Sequence, residues 1–393
     1  MFGMKPTEDT ASGRVVNVGI VGCGLVTQVI HVPCLNSLSH RFQITYLSDV
    51  SEEAMKCSQL KVAGNVRPRT TRSVEELCNA TGVDLVLIAS HHAFHAAHAE
   101  LALQANKYVF IEKPIALSLQ DADRIIAADR AAGGGKVSIG YMRRYAAAFV
   151  DAVREVGTIE QIRYVRVRDI IGPNSVFVGQ SGTYPRTFND YSEEDSKALH
   201  EKTSNDMEQA LQRELGVALT KETRMMWDVL SFLGAHDLSA MREICRRILT
   251  LCYYGVAILE VEEVPRSYTV LLEADNDSAI FRYPNFAVAY ESGVDQVARF
   301  DASIEVFGDS KTVKVCIDTP FIRGLPTTMM VKETLPDESY RESVTRRTYE
   351  DPFMLEWKEV YRWVVEEKVP KTTPQDARCD LEILGMLMRS AFT

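Results

Sequence analysis

Short, nearly continuous apolar runs alternate with helix-length stretches through the first part of the chain. Residues 15–21, 42–47, 83–89, 107–111 and 136–140 have the composition of strands buried on both faces. An apolar helical stretch to about Leu38 follows the first run, and another helix starts near Ser51. Ser73-Val74-Glu75-Glu76 has the form of a capping box. Ser118-Leu119-Gln120-Asp121 opens a further helix that Gly133-Gly134-Gly135 closes. Strand and helix in strict alternation predict a doubly wound parallel sheet.

The pattern changes after residue 145. Residues 159–171 form one long strand of mixed alternation, and 249–261, 268–273, 279–283, 287–291, 303–307 and 312–317 read as further strands. Turns such as Gly308-Asp309 between consecutive strands predict an open, mostly antiparallel sheet. A helical stretch over 221–247 interrupts them. Residues 172–220 are longer and more polar than a connection needs, with Gly172-Pro173-Asn174, Tyr184-Pro185 and Glu193-Glu194-Asp195 and a helical stretch near 206–215. Such segments serve as lids or oligomer arms, or stay solvated. A helix over 349–366 carries an apolar stripe for the core, and Thr373-Pro374-Gln375-Asp376 starts a last amphipathic helix. The expected division is α/β: a Rossmann-type domain over 14–145, an α/β domain over 146–372, and a terminal helix over 373–393 that returns to the first domain.

Composition narrows the function. The 393 residues suit two domains, and 46% hydrophobic with 25% charged content describes an ordinary globular protein. A formal net charge of -10 excludes a nucleic-acid binder or an anionic-membrane binder as the expected class. The eight cysteines are scattered without a CxxC pair, which suits buried thiols in a reducing compartment. Residues 1–13 are polar and lack the apolar centre of a signal peptide, so a cytoplasmic location is expected.

The candidate chemistry gathers at strand ends, where open α/β sheets bind ligands. Gly22-Cys23-Gly24 permits a tight turn, so that the backbone of Gly22, Gly24, Leu25 and Val26 can approach a pyrophosphate. Thr27 stands where the fingerprint has a third glycine. Asp49, just past the second strand, is placed to accept from ribose hydroxyls and to repel a 2′-phosphate, which favours NAD over NADP as the cofactor. The other reading of Asp49 is a helix cap. Ser90 and His91 follow the next strand. His91, His92, His95 and His98 lack a completing carboxylate or cysteine, so no metal is expected, and His91 and His95 are expected to line the cofactor cleft. Glu112-Lys113-Pro114 ends the strand after that.

The glycine turn, Glu112-Lys113-Pro114, the segment Gly140-Tyr141-Met142-Arg143-Arg144-Tyr145 and His236 resemble the Gfo/Idh/MocA family of oxidoreductases. The resemblance spans the chain from Val15 to the final helix. It implies that Lys113 handles the proton of the reacting hydroxyl or carbonyl, that Glu112 and Lys113 border the cofactor, and that Pro114 follows a cis peptide bond. It also places His236 in the site as an assisting base. The family's Asp-x-x-x-His pair is broken here, because Phe232 stands four residues before His236. That removes a group that would orient the imidazole, and it suggests a substrate less polar than a free sugar. Tyr141, Arg143 and Arg144 fall at the domain junction, with Arg143 assigned to the cofactor side and Tyr141 and Arg144 to the substrate side. Arg168 and Tyr184 are further substrate candidates. The expected activity is hydride transfer between NAD(P) and a sugar, polyol or secondary metabolite. The alternatives are a cofactor-retaining enzyme of elimination or glycoside cleavage, and a non-catalytic dinucleotide sensor. A homo-oligomer, dimer or tetramer, is expected through an apolar outer face of the second sheet.

Overall fold

The structure, a computed structural model, describes residues 13–252, 267–273 and 276–392. Its first sheet is built from β1 (Val16–Val21), β2 (Phe42–Ser48), β3 (Arg69–Thr71), β4 (Leu85–Ile88), β5 (Tyr108–Glu112) and β6 (Val137–Gly140). They lie in the order β3-β2-β1-β4-β5-β6, all parallel. The order reverses between β1 and β4, which opens a crevice at the carboxyl ends of the strands. β1, β4 and β5 have almost no exposed surface because helices cover both faces, and this is why they read as apolar runs. The three-residue β3 has no apolar run and leaves no mark in the hydrophobic pattern.

The second sheet has eight strands: β7 (Ile162–Ile171), β8 (Ser267–Glu273), β9 (Asn276–Arg282), β10 (Ala287–Val294), β11 (Phe300–Gly308), β12 (Lys311–Ile317), β13 (Thr328–Thr334) and β14 (Tyr340–Thr345). Their order is β14-β13-β12-β11-β7-β10-β9-β8, antiparallel except for the β7–β10 pair. The fold class therefore agrees with the sequence pattern. The strand expected over 249–261 does not form as such. Residues 249–252 end the helix Ala235–Cys252, and 253–261 lie outside the described residues. The expected apolar outer face is also corrected. β7 turns Tyr164, Arg166 and Arg168 outward, and the arginines pair with Glu291 and Asp301 of the neighbouring strands.

The polar segment after β7 is mostly helical: Asn174–Gly179, Glu193–Met207 and a π-helical Glu208–Glu214. The last helix, Pro374–Phe392, packs against both sheets' helices and is fastened by buried ion pairs. Asp376 meets Arg144 and Arg242, and Asp380 meets Arg242 at 2.7 Å. The Ser73 box is half formed. Ser73 Oγ accepts from the Glu76 amide, while the Glu76 carboxylate turns away to Tyr46 and Thr71.

Candidate active site and dinucleotide cleft

Gly22 has φ +98°, and a Cβ there would stand 2.4 Å from the Ala89 carbonyl oxygen. Only glycine fits that turn. Gly24 is the opposite case: a Cβ there would meet nothing within 4 Å, because it would project into open space. That space belongs to a cleft of about 870 Å³, bordered by Gly22, Gly24, Asp49 and Ser90 on one side and Phe188 and Leu199 on the other. It has the size of a cofactor site, and the bare backbone of the turn leaves room for a pyrophosphate. Thr27 is fully buried and donates its hydroxyl to the Gly22 carbonyl at 2.6 Å, closing the turn where a third glycine is absent. Leu25 is part of the cleft wall, and Val26 packs partly into the core beneath it.

The Asp49 carboxylate accepts from the Cys23 amide at 2.6 Å and from the Ser51 amide at 2.9 Å. It thus sits at the cleft and joins the glycine turn to the loop after β2. The helix cap is Ser51, whose Oγ accepts from the Ala54 amide of Glu52–Lys61.

Ser90 and His91 line the cleft. Burial lowers the His91 pKa, so the ring is neutral near pH 7. His95, expected in the same wall, is instead fully buried. Its Nδ1 lies 2.9 Å from the Pro114 carbonyl and its Nε2 lies 3.1 Å from the Ser90 carbonyl. It ties the end of β4 to the turn carrying Lys113. Among the described residues no group of three or more His, Cys, Asp or Glu could hold a metal ion.

Beyond β5 the Lys113–Pro114 peptide bond is cis. Glu112 is buried and ends a hydrogen-bonded chain. Trp357 Nε1 donates to His31 Nδ1 at 3.2 Å, which leaves His31 Nε2 to donate to Glu112 at 2.8 Å. The remaining Glu112 oxygen accepts the Lys113 amide at 3.2 Å. Burial would raise the Glu112 carboxyl, but the His31 hydrogen bond and the Lys113 charge hold it below the usual range. Burial also brings the Lys113 amine down to about 8, against the opposing pull of Glu112.

The Lys113 amine donates to the Phe232 carbonyl at 2.7 Å and lies 4.0 Å from the centre of the Phe232 ring. Phe232 occupies a π-helical turn, Leu230–Gly234, and such turns free backbone groups from the ordinary ladder. The residue that replaces the expected aspartate thus still contacts the lysine, through its carbonyl and its ring face. His236 lies one turn on, half-buried, with its Nδ1 buried and unbonded among the described residues. Burial, then the charges of Lys113 and Arg143, depress its pKa strongly. A neutral imidazole that already carries no charge is suited to accept or relay a proton.

Arg143 does not reach the cleft. It is buried in ion pairs with Asp169 at 2.9 Å and with Asp237. Arg144 is equally buried, held by Glu243 at 2.6 Å and by Asp376. Tyr141 stacks edge-on to His236 with ring centres 6.5 Å apart, and its hydroxyl bonds Asp380. Arg168 pairs with Glu291 and Asp301 on the sheet, and Tyr184 is 82% exposed. The structure therefore gathers Lys113, Glu112, Tyr141 and His236, and assigns Arg143, Arg144, His95 and Arg168 to bracing.

His31, Asp169 and Asp237 were missed from the sequence. Thr27, Gln28 and His31 share one face of an otherwise apolar helix and are all buried, a polar stripe visible in the residue spacing. Asp169 sits in the inward row of β7 with Val165, Val167 and Ile171, so strand parity marks it as a buried acid.

Residues 16–141 match the sequence model of an oxidoreductase family with an NAD-binding Rossmann fold. An inositol 2-dehydrogenase of Saccharopolyspora erythraea is 35% identical over 134 residues, which is 34% of this chain and 38% of that protein. The chain thus matches well under half the length of this relative. Across 96% of the chain the fold is that of an aldose-aldose oxidoreductase from Caulobacter crescentus, at TM-score 0.67 and 16% identity over 98% of that protein. A 3-ketoreductase from Actinomadura kijaniata, solved with NADP, superposes at TM-score 0.66 with 13% identity, covering 96% of this chain and 98% of that one. Residues 16–141 carry the Rossmann architecture of an NAD(P)-binding class. Over those residues the chain is similar to the Gfo/Idh/MocA oxidoreductase family.

Proposed function

We propose that the chain is an NAD(P)-dependent dehydrogenase or reductase acting on a carbon that bears a hydroxyl or carbonyl. The observation that carries this reading is the placement of Lys113 at the end of β5, on the same carboxyl edge of the parallel sheet as the glycine-turn cleft, with its amine brought down to about 8 and the half-buried, neutral His236 within reach of its charge. The nicotinamide, when bound, supplies or accepts the hydride. The chain's part is to seat the dinucleotide at Gly22 and Gly24 and to hold the reacting oxygen against Lys113. Lys113 gives or takes its proton, and the Glu112–His31–Trp357 chain fixes the backbone from which it projects. The Phe232 carbonyl takes one N–H of the protonated amine, which leaves further donors for an entering oxygen. The inositol 2-dehydrogenase named above points to polyols, the aldose-aldose oxidoreductase to aldoses and the 3-ketoreductase to ketones, so these are the first substrates to screen.

Lys113→Ala tests the assignment. Reduced-cofactor absorbance should show turnover falling by about 10²–10⁴-fold, while calorimetry shows dinucleotide binding retained. Retained turnover in the variant would remove Lys113 from the chemistry. A second reading, a cofactor-retaining enzyme without net redox change, is favoured by the polar insert that walls the cleft. It requires dinucleotide to stay bound through purification and no net absorbance change in turnover. Homo-oligomerisation through the second sheet would involve its ion-paired outer face, and sedimentation velocity tests it. No described helix is long and apolar enough to cross a membrane.

A further inference from the structure

The insert between β7 and the helix Lys221–Val229 docks on the dinucleotide half by a set of specific bonds. Gln28 exchanges two 3.0 Å hydrogen bonds with the Arg186 backbone, its Nε2 donating to the carbonyl and its Oε1 accepting the amide. Lys61 donates to the Thr183 and Tyr184 carbonyls at 2.5 and 3.1 Å. Two aspartates complete the seam. Asp190 accepts from the Ser51 hydroxyl and from the Glu53 amide at 3.0 Å, so its carboxylate caps the start of the helix Glu52–Lys61. Asp195 takes the Arg72 guanidinium at 2.7 Å.

Ser51, Arg72 and Asp195 line the cleft together with Asp49, at the edge where the adenosine ribose belongs, and Asp190 reaches that edge through Ser51. A dinucleotide carrying a 2′-phosphate needs hydroxyl and amide donors and a cation at that place, because the phosphate is a dianion with several acceptor oxygens. Ser51, the Glu53 amide and Arg72 are a fitting set. In this chain all three are already engaged, and the groups engaging them are carboxylates from the insert. Both acids are held in their ionised form: the Ser51 hydrogen bond lowers Asp190, and the Ser192 amide together with Arg72 lowers Asp195.

We infer that Asp190 and Asp195 are specificity-determining residues, intramolecular occupants of the place a 2′-phosphate would take, so that the insert selects NAD over NADP. The inference rests on the proposed dinucleotide function. Asp49 supplies the acceptor for ribose hydroxyls in either case; the insert removes the donors that a phosphate would use. Repulsion between carboxylates and phosphate adds to the loss of donors. The polar insert, on this account, is part of the nucleotide site and not a solvated loop.

The test is calorimetric binding of NADH and NADPH to the full chain, wild type against the Asp190→Asn/Asp195→Asn double variant. Circular dichroism and thermal melting confirm the fold. Wild type should prefer NADH, and the double variant should narrow the preference by tenfold or more, chiefly through tighter NADPH binding. Adding Arg72→Ala to the double variant should abolish the gain. If the double variant melts early, Asp195→Asn alone provides the readout, since the Ser192 hydroxyl still caps the residue 195 amide in that variant. An unchanged NADH-to-NADPH ratio in folded variants overturns the inference while leaving the oxidoreductase reading intact. Failure of wild type to bind either nucleotide overturns both.

Discussion

Phe232→Asp restores a carboxylate one helical turn before His236, and its main effect should fall on Lys113. The Lys113 amine lies 4.0 Å from the centre of the Phe232 ring, so the new carboxylate would stand about that far from it. Opposite unit charges at ~4 Å attract by about 4 kcal/mol at an effective dielectric of ~20, equivalent to about 3 pK units. Phe232 is 55% exposed, and solvent screening reduces the working figure to about 1 unit. The Lys113 pKa should rise from about 8 to about 9. At pH 7 the neutral fraction falls from ~10% to ~1%. The sign follows from the chemistry: a lysine acting as base in alcohol oxidation needs its neutral form, so the rising limb of kcat/KM against pH moves to the alkaline side. The assay needs no known substrate. Competitive acylation of Lys113 across pH 6–11, read by mass spectrometry, reports the amine's own titration. A midpoint that stays near 8 or moves down would show that the ring and carbonyl of Phe232 do not set the electrostatics of Lys113, and the reasoning from this site would fail.

Two glycines of one turn should respond in opposite ways. Gly22→Ala forces a positive φ and a Cβ against the Ala89 carbonyl, costing about 2 kcal/mol or more in denaturant unfolding. Gly24→Ala should leave stability within about 0.5 kcal/mol yet weaken dinucleotide binding in calorimetry, because its methyl group enters the cleft. Asp376→Asn leaves Arg144 and Arg242 without a shared carboxylate at the foot of the last helix, and unfolding should cost about 3 kcal/mol less. Burial raises the Asp376 carboxyl, but Arg144 and Arg242 hold it below the ordinary range. Its folded pKa is depressed, so its stabilisation is complete above the unfolded value of about 4 and is lost as the pH falls through the folded value. The stability gap between wild type and the Asn variant should therefore be full near neutral pH and shrink as the pH falls through the folded value, because the variant has no such contribution to lose.

The legible parts of this chain were those whose partners are near in sequence or whose burial needs no partner. The strands of the first sheet are apolar because helices cover both faces, and the glycine turn is written in two adjacent positions. Lys113 belongs to the local run Glu112-Lys113-Pro114 at the end of a buried strand, so its position could be read without knowing a distant partner. Arg143 and Arg144 were misplaced for the reverse reason: their acids come from positions 169, 237, 243 and 376, and nothing local distinguishes a buried bracing arginine from a ligand-binding one. His95 went the same way, since its two carbonyl partners are set only when β4 and β5 lie side by side. The insert makes the point most sharply. Asp190 and Asp195 sit in a polar, turn-rich segment that looks solvated, yet they meet Ser51 and Arg72 more than a hundred residues earlier in the chain. A charged residue reads as surface until its counterpart is known. In an α/β fold the counterparts converge at the sheet's carboxyl edge, so an acidic segment long enough to return there should be tested for a role in the cofactor site before it is set aside as a loop.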